Sequence, residues 1–170
     1  MKFRAAGLQD LPALKTTYEK IVEDLIRNNI NIWNEAYPCG FFEEDILRDR
    51  LFVLMDRETL ISAFALCAPS DYEGTVQWEA PEAKALYLFR FAVNLDFLHQ
   101  GLGVKTLELA EAAAKQRGAE YLRLFVVDYN TPAIRLYESC GYRKADGVFD
   151  NDIGRGEEAI LYEYGYEKKL

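Results

Sequence analysis

Histidine is almost missing from this sequence. The one copy, His99, stands just before a Gln-Gly-Leu-Gly run. A histidine-based metal cluster or a Ser-His-Asp triad elsewhere in the chain is thereby excluded. Cysteine is scarce and odd in number. Cys39, Cys67 and Cys140 are far apart and form no C-x-x-C pair, so they offer neither a disulfide framework nor a zinc site. No metal is expected. Long apolar runs are absent too, and none approaches the roughly 20 residues that cross a bilayer. The opening Met-Lys-Phe-Arg leads into a mixed stretch without the apolar core of a signal peptide. A cytoplasmic protein with no membrane partner is expected. Positive charge is in deficit: 20 Lys and Arg stand against 28 Asp and Glu, for a net charge of −8. Nucleic acid is not an expected partner, because a phosphate-binding face needs a basic surface. The same sign would steer a cationic amine or basic peptide toward the protein.

What is present is a large apolar share, half of the 170 residues. That suits one globular domain over residues 1–170, burying roughly 70% of its unfolded surface. The rest of the chain is organised around Ala85–Val104, ALYLFRFAVNLDFLHQGLGV. Leu86–Val93 lacks Gly and Pro and is rich in large apolar residues, as in a buried strand. Gly101-Leu102-Gly103 comes next, and Val104–Gln116 carries a helical pattern. Strand, glycine loop and helix make a plausible phosphate cradle. The first helical turn offers unpartnered N–H groups and partial positive charge, and glycines let an anion come close. Two familiar phosphate loops are excluded. Gly103 is followed by Val104-Lys105-Thr106 rather than Lys-Ser/Thr, and Thr106 occupies the third glycine position of a dinucleotide loop. The loop resembles the pyrophosphate loop of the GNAT superfamily, the acyl-CoA-dependent N-acyltransferases, written Gln/Arg-x-x-Gly-x-Gly/Ala. Leu98 stands where Gln or Arg is expected, and Gln100 lies two residues later.

Along the chain, Lys2–Ala6 is expected as a first strand. Asp10 is expected to cap a helix over Leu11–Asn28, with Pro12 in its first turn. The Ile30–Gly40 loop carries Trp33 and Tyr37, which either line an acceptor site or plug a gap in the core. Glu43–Arg50 is a short helix, acidic first and basic last. Leu51–Met55 and Leu60–Ala68 form an antiparallel hairpin across 56–59. Ser62 and Ala63 imply close packing against something bulky. Pro69–Lys84 is a polar loop with Asp71, Tyr72, Glu73, Trp78, Glu79 and Glu82. Gly118 is placed to end the central helix. Tyr121–Val127 is a strand parallel to the central one, since the crossover is long enough. Thr131 is expected as the N-cap of the next helix, with Pro132 at its first position, and Gly141 ends it. Tyr142–Val148 is expected as a strand, Phe149–Glu157 as a loop, and Ala159–Lys168 as a last antiparallel strand. The tyrosines of that last strand make it a candidate interface edge for a homodimer.

Asn130-Thr-Pro-Ala133-Ile-Arg-Leu136-Tyr137-Glu-Ser-Cys-Gly141-Tyr142 closely resembles the end of the GNAT signature, Asn-x-x-Ala-x-x-Leu-Tyr-x-x-x-Gly-Phe/Tyr. The resemblance spans Leu86–Tyr142. It implies a mixed α/β fold: a twisted sheet of about seven strands with helices on both faces. It also implies transfer of an acetyl group from the cosubstrate acetyl-CoA to a primary amine, on a small molecule or a peptide. By the same resemblance, Phe91, Ala92 and Val93 would hold pantetheine, with an N–H near Val93 polarising the thioester. Leu98, His99, Gln100, Gly101, Leu102, Gly103, Val104 and Lys105 would hold the pyrophosphate. Asn130 and Ala133 would flank pantetheine, and Tyr137 would protonate the departing thiolate. A phenol suits that role, being neutral at pH 7 with a pKa of about 10. The base is open: the central strand offers Arg90 but no carboxylate, leaving Glu79, Glu82 and Asp128. Two rivals are an acyl-CoA-binding protein without catalysis and a domain using the loop for another anion.

Overall fold

The computed structural model describes residues 1–34, 36–69, 76–152 and 160–170, with eight β-strands and four α-helices among them. They fall into two compact units. The first holds Met1–Cys67 and Phe89–Ala110; the second holds Ala68–Leu88 and Glu111–Leu170.

In the first unit, β1 (Lys2–Ala5), β2 (Leu51–Asp56) and β3 (Thr59–Cys67) run antiparallel, in register Phe3↔Leu54 and Val53↔Ala63. The tight connection at 56–59 is made by Arg57 at φ 54°. The later part of β4 (Ala85–Val93) completes this set; just after it, the Asn94 N–H donates to Ile61 O at 2.8 Å. Helix α1 (Leu11–Arg27) buries Leu14, Tyr18 and Ile21 in one cluster with Val53, Ala63 and Ala65. The close packing expected at Ser62 and Ala63 is therefore met from two sides: Tyr18 OH donates to Ala63 O, and Ser62 bonds Thr106. Asp10 precedes α1 but does not cap it with its side chain. Its carboxylate turns back to Arg4, at 2.6 and 2.8 Å, and to the Gly7 N–H. A guanidinium in reach outcompeted the helix end. Helix α2 is shorter than expected, Phe42–Leu47, because Asp49 takes φ 53°. Helix α3 (Leu102–Gln116) starts two residues early, so Gly103 lies within it.

In the second unit, the start of β4 runs parallel to β5 (Tyr121–Val127), from Ala85↔Tyr121 to Tyr87↔Arg123. β5 pairs antiparallel with β8 (Ile160–Lys169) along Tyr121–Val127. On its other side β8 takes β6 (Arg143–Lys144) and β7 (Phe149–Asp152). The last strand is thus flanked on both sides, not an edge. The expected strand Tyr142–Val148 shrinks to two residues, because Gly147 at φ 101° breaks it. Part of the expected loop, Phe149–Asp152, is strand instead; residues 153–157 lie outside the described residues. So do Asp71, Tyr72 and Glu73. Trp78, Tyr87 and Phe125 form a triangle with ring centroids 5.7–6.1 Å apart, and Phe149 meets Phe125 at 5.4 Å. Gly165 is required beneath Trp78, where a Cβ would lie 2.9 Å from the indole. Helix α4 (Thr131–Ser139) completes the unit.

Candidate functional site

The first group of expected site residues lies in the first unit. Phe91–Val93 ends β4, and Asn94 shapes the turn beyond it. Its side chain donates to Leu60 O at 2.7 Å and accepts the Asp96 N–H at 3.1 Å, closing a short turn at Leu95–Phe97. Leu98, His99 and Gln100 are exposed, and His99 takes φ 60°. Gly101 is at φ 73° with nothing within 4 Å of where a Cβ would stand. Only glycine adopts that backbone at no cost, and the space beside it is open. The first α3 bond across the loop is Lys105 N–H to Gly101 O, so the N–H groups of Leu102, Gly103 and Val104 lie in the unpartnered first turn. The helix behind is held from below. Thr106 donates to Leu102 O at 2.6 Å and so accepts from Ser62, 2.7 Å away on β3. First-turn backbone donors on a fixed helix end, behind the open space at Gly101, fit a pyrophosphate. Lys105 is exposed and 3.4 Å from Glu108.

One residue of β4 departs from strand geometry. Arg90 has φ 53°, yet it is buried. Its carbonyl accepts Tyr18 OH, whose phenol burial keeps protonated. Its Nε donates to Asp45, which is fully buried on α2. The other Asp45 oxygen is in ion-pair contact with Arg50 at 2.7 Å. The Arg90 guanidinium also lies 5.2–5.9 Å from the rings of Phe41, Phe89 and Tyr37. Trp33 stacks on Tyr18 at 5.7 Å and meets Tyr37 edge-on, so both aromatics of the 30–40 loop serve the packing of this unit. Sequence reasoning missed this cluster. Asp45 reads as an ordinary acid at a helix start, and nothing in the pattern marks Arg90 as left-handed.

The second group lies in the second unit. Asn130, not Thr131, occupies the N-cap of α4, without a side-chain cap bond; Thr131 is the first helical residue. Asn130 and Ala133 are half-buried. Tyr137 is buried, its ring 5.9 Å from that of Tyr142, and burial pushes its phenol pKa up. It therefore holds its proton at neutral pH, as a proton donor must. Gly141 ends the helix at φ 85°.

The sequence model of the acetyltransferase (GNAT) family matches residues 18–142, which includes both groups. The chain belongs to the GNAT acetyltransferase family. It is 39% identical over 77 residues to the [ribosomal protein bS18]-alanine N-acetyltransferase of Escherichia coli K12, covering 44% of this chain and 51% of that one. The chain thus spans about half the length of the curated relatives it matches. Its fold is that of several solved structures. A GNAT-family acetyltransferase from Streptococcus agalactiae superposes with TM-score 0.80 at 17% identity, over 99% of this chain and 96% of that one. A ribosomal-protein-alanine N-acetyltransferase from Brucella melitensis gives 0.71 at 20%, over the whole of both chains. The yncA protein of Salmonella typhimurium, solved with its cofactor acetyl-CoA, gives 0.69 at 16%, over 100% and 94%.

Of the base candidates in this GNAT-family chain, Glu79 and Glu82 are exposed and Asp128 is half-buried. The Glu79 N–H, rather than its carboxylate, is engaged, donating to Glu167 at 2.6 Å. Arg90 is committed to Asp45. Among the described residues no group of three or more His, Cys, Asp or Glu could hold a metal, and no helix is long and apolar enough to cross a membrane.

Proposed function

We propose that this protein transfers an acetyl group from acetyl-CoA to a primary amine, by direct attack in a ternary complex in the cytoplasm. The family match across residues 18–142 carries the reading. The open, glycine-turned start of α3 supports it. In this reading the backbone N–H groups from His99 to Val104 hold the pyrophosphate, with Leu98, Gln100 and Lys105 beside them. Phe91, Ala92 and Val93 offer backbone to pantetheine, and the Val93 N–H polarises the thioester carbonyl. A fixed donor at a developing oxyanion is among the largest catalytic terms available to a protein. Asn130 bonds pantetheine and Ala133 leaves it room. Tyr137 gives its proton to the departing thiolate. The acceptor is a small amine or a peptide amine.

The test is release of CoA from acetyl-CoA in the presence of a panel of small amines and peptides with free N-termini. Tyr137→Phe is expected to lower kcat by about 100-fold or more while acetyl-CoA binds as before. Unchanged turnover across the pH range would remove Tyr137 from the mechanism. Tight CoA binding with no acetyl transfer to any amine would make the protein a non-catalytic acyl-CoA binder.

A further inference from the structure

The second unit contains a carboxylate that no cation among the described residues partners. Glu163 lies on β8, half-buried, directly across from Val127 on β5 and from Phe149 on β7. Cross-strand partners share a face of a sheet. Glu163 therefore stands beside Phe149, whose ring meets Phe125 at 5.4 Å. Its one hydrogen-bond partner among the described residues is Asn151, which donates Nδ2–H to Oε1 at 2.9 Å. No described cation pairs with it.

Glu167, four residues on and on the same face, shows what a settled carboxylate looks like here. It receives Arg123 Nε at 3.2 Å and the Glu79 N–H at 2.6 Å. The described groups facing Glu163 from its neighbours are Val127 and Phe125 on β5, Phe149 and Asn151 on β7, and Val76 and Trp78, which lie over Gly165 two residues on. None is charged. Asp150 opposes Tyr162, and the Asp128 N–H bonds Tyr162 O, so both belong to the next register on the other face. A half-buried carboxylate without a cation is costly to keep ionised. Consistently, burial pushes the Glu163 carboxyl above its ordinary range. Val127 is the last residue of β5, and ligands of open α/β sheets bind beyond the carboxyl ends of strands. A carboxylate beside ring faces is the chemistry that receives an ammonium group, by charge and by cation–π attraction.

We propose that Glu163, with Asn151 and the Phe149–Phe125 rings, binds the ammonium group of the acceptor, and that the acceptor is a cationic amine with a flat or apolar neighbour. Naming the ligand as the acceptor rests on the acetyltransferase reading; the binding site itself does not. The ammonium supplies positive charge that no described residue supplies, Asn151 orients the carboxylate, and the rings cover the adjacent apolar part of the ligand.

The test is calorimetric titration of the full chain with 2-phenylethylamine and with its neutral counterpart, 2-phenylethanol. The amine is expected to bind at least tenfold more tightly. Its affinity should fall as pH drops toward 5 and Glu163 takes up a proton. Glu163→Gln should abolish both the preference and the pH dependence, leaving the alcohol and acetyl-CoA to bind as before. Glu163→Asp should keep part of the preference. Equal binding of amine and alcohol, no binding of the amine, or an unchanged preference in Glu163→Gln would overturn the proposal. Binding of the amine with the expected preference, but no acetylation of any amine, would uphold this site and sink the acetyltransferase reading.

Discussion

Among the described residues each unit buries one arginine in a strand, and the two are buried for different purposes. Arg123 sits in a regular stretch of β5, paired with Tyr87 on one side and Glu167 on the other. Its guanidinium is held by the cross-strand Glu167, the Trp78 ring at 4.8 Å and Ala80 O at 2.7 Å. That arrangement pins the described end of the 68–84 segment, 76–84, onto a strand that would be regular without it. Arg90 sits at φ 53° inside β4, a conformation that costs a non-glycine residue about 1–3 kcal/mol. Such a residue persists only when its surroundings fix it from several directions. Tyr18 holds its carbonyl, Asp45 its guanidinium, and three rings its faces. Both ion pairs are buried, but one fastens a loop and the other shapes a strand, just before Phe91–Val93.

The difference predicts different consequences of breaking each pair. Asp45→Ala strips the partner from two cations and should cost about 4 kcal/mol in denaturant unfolding, since an uncompensated buried charge remains. It should also weaken acetyl-CoA binding, because the backbone of β4 shifts. Glu167→Ala should cost less, about 3 kcal/mol, as the Trp78 ring and Ala80 O still hold Arg123. Acetyl-CoA affinity should survive that change, while limited proteolysis should find the 76–84 segment more open. Equal losses of affinity in both variants would erase the contrast between them. Tyr18→Phe, which removes one hydroxyl and no charge, should cost about 1.5 kcal/mol and repeat the binding defect of Asp45→Ala in milder form.

Asp10 gives the scale of a pair nearer the surface. The Arg4 guanidinium holds its carboxyl below the usual 3.8. The stability it adds is fully present above that unfolded value and is lost as pH falls through the folded one. With Arg4 30% exposed, the amount is about 1 kcal/mol. Asp10→Asn should lower stability at pH 7 by that much and flatten the fall below pH 4, measured by urea unfolding at each pH.

Much of this was legible in the chain. An apolar run without Gly or Pro located β4, alternation passing into an apolar run located β5, and helical spacing behind Asp10 and Pro12 located α1; the loop and the Asn130–Tyr142 segment together pointed to the family. What stayed hidden was whatever depends on a distant partner. Asp10 looked like a cap until Arg4 came within reach. Asp45 looked like a helix-start acid until Arg90 turned toward it. Residues 142–152 alternate weakly, and the stretch is split around Gly147 into the short β6 and β7. The tyrosines of β8 suggested an edge because their alternation is that of a half-exposed strand, yet β6 and β7 pair with its far side. Glu163 gave no signal at all, since one acid among tyrosines reads as solubilising charge.

The use of acetyl-CoA as cosubstrate is tested most directly by calorimetric titration of the purified chain with acetyl-CoA, CoA and ATP in parallel. Acetyl-CoA and CoA are expected to bind and ATP is not, because in the proposed reading the glycine turn before α3 serves a pyrophosphate whose pantetheine arm would lie along Phe91–Val93. Failure of both CoA species to bind would contradict the acetyltransferase reading, leaving a GNAT-family fold put to another use.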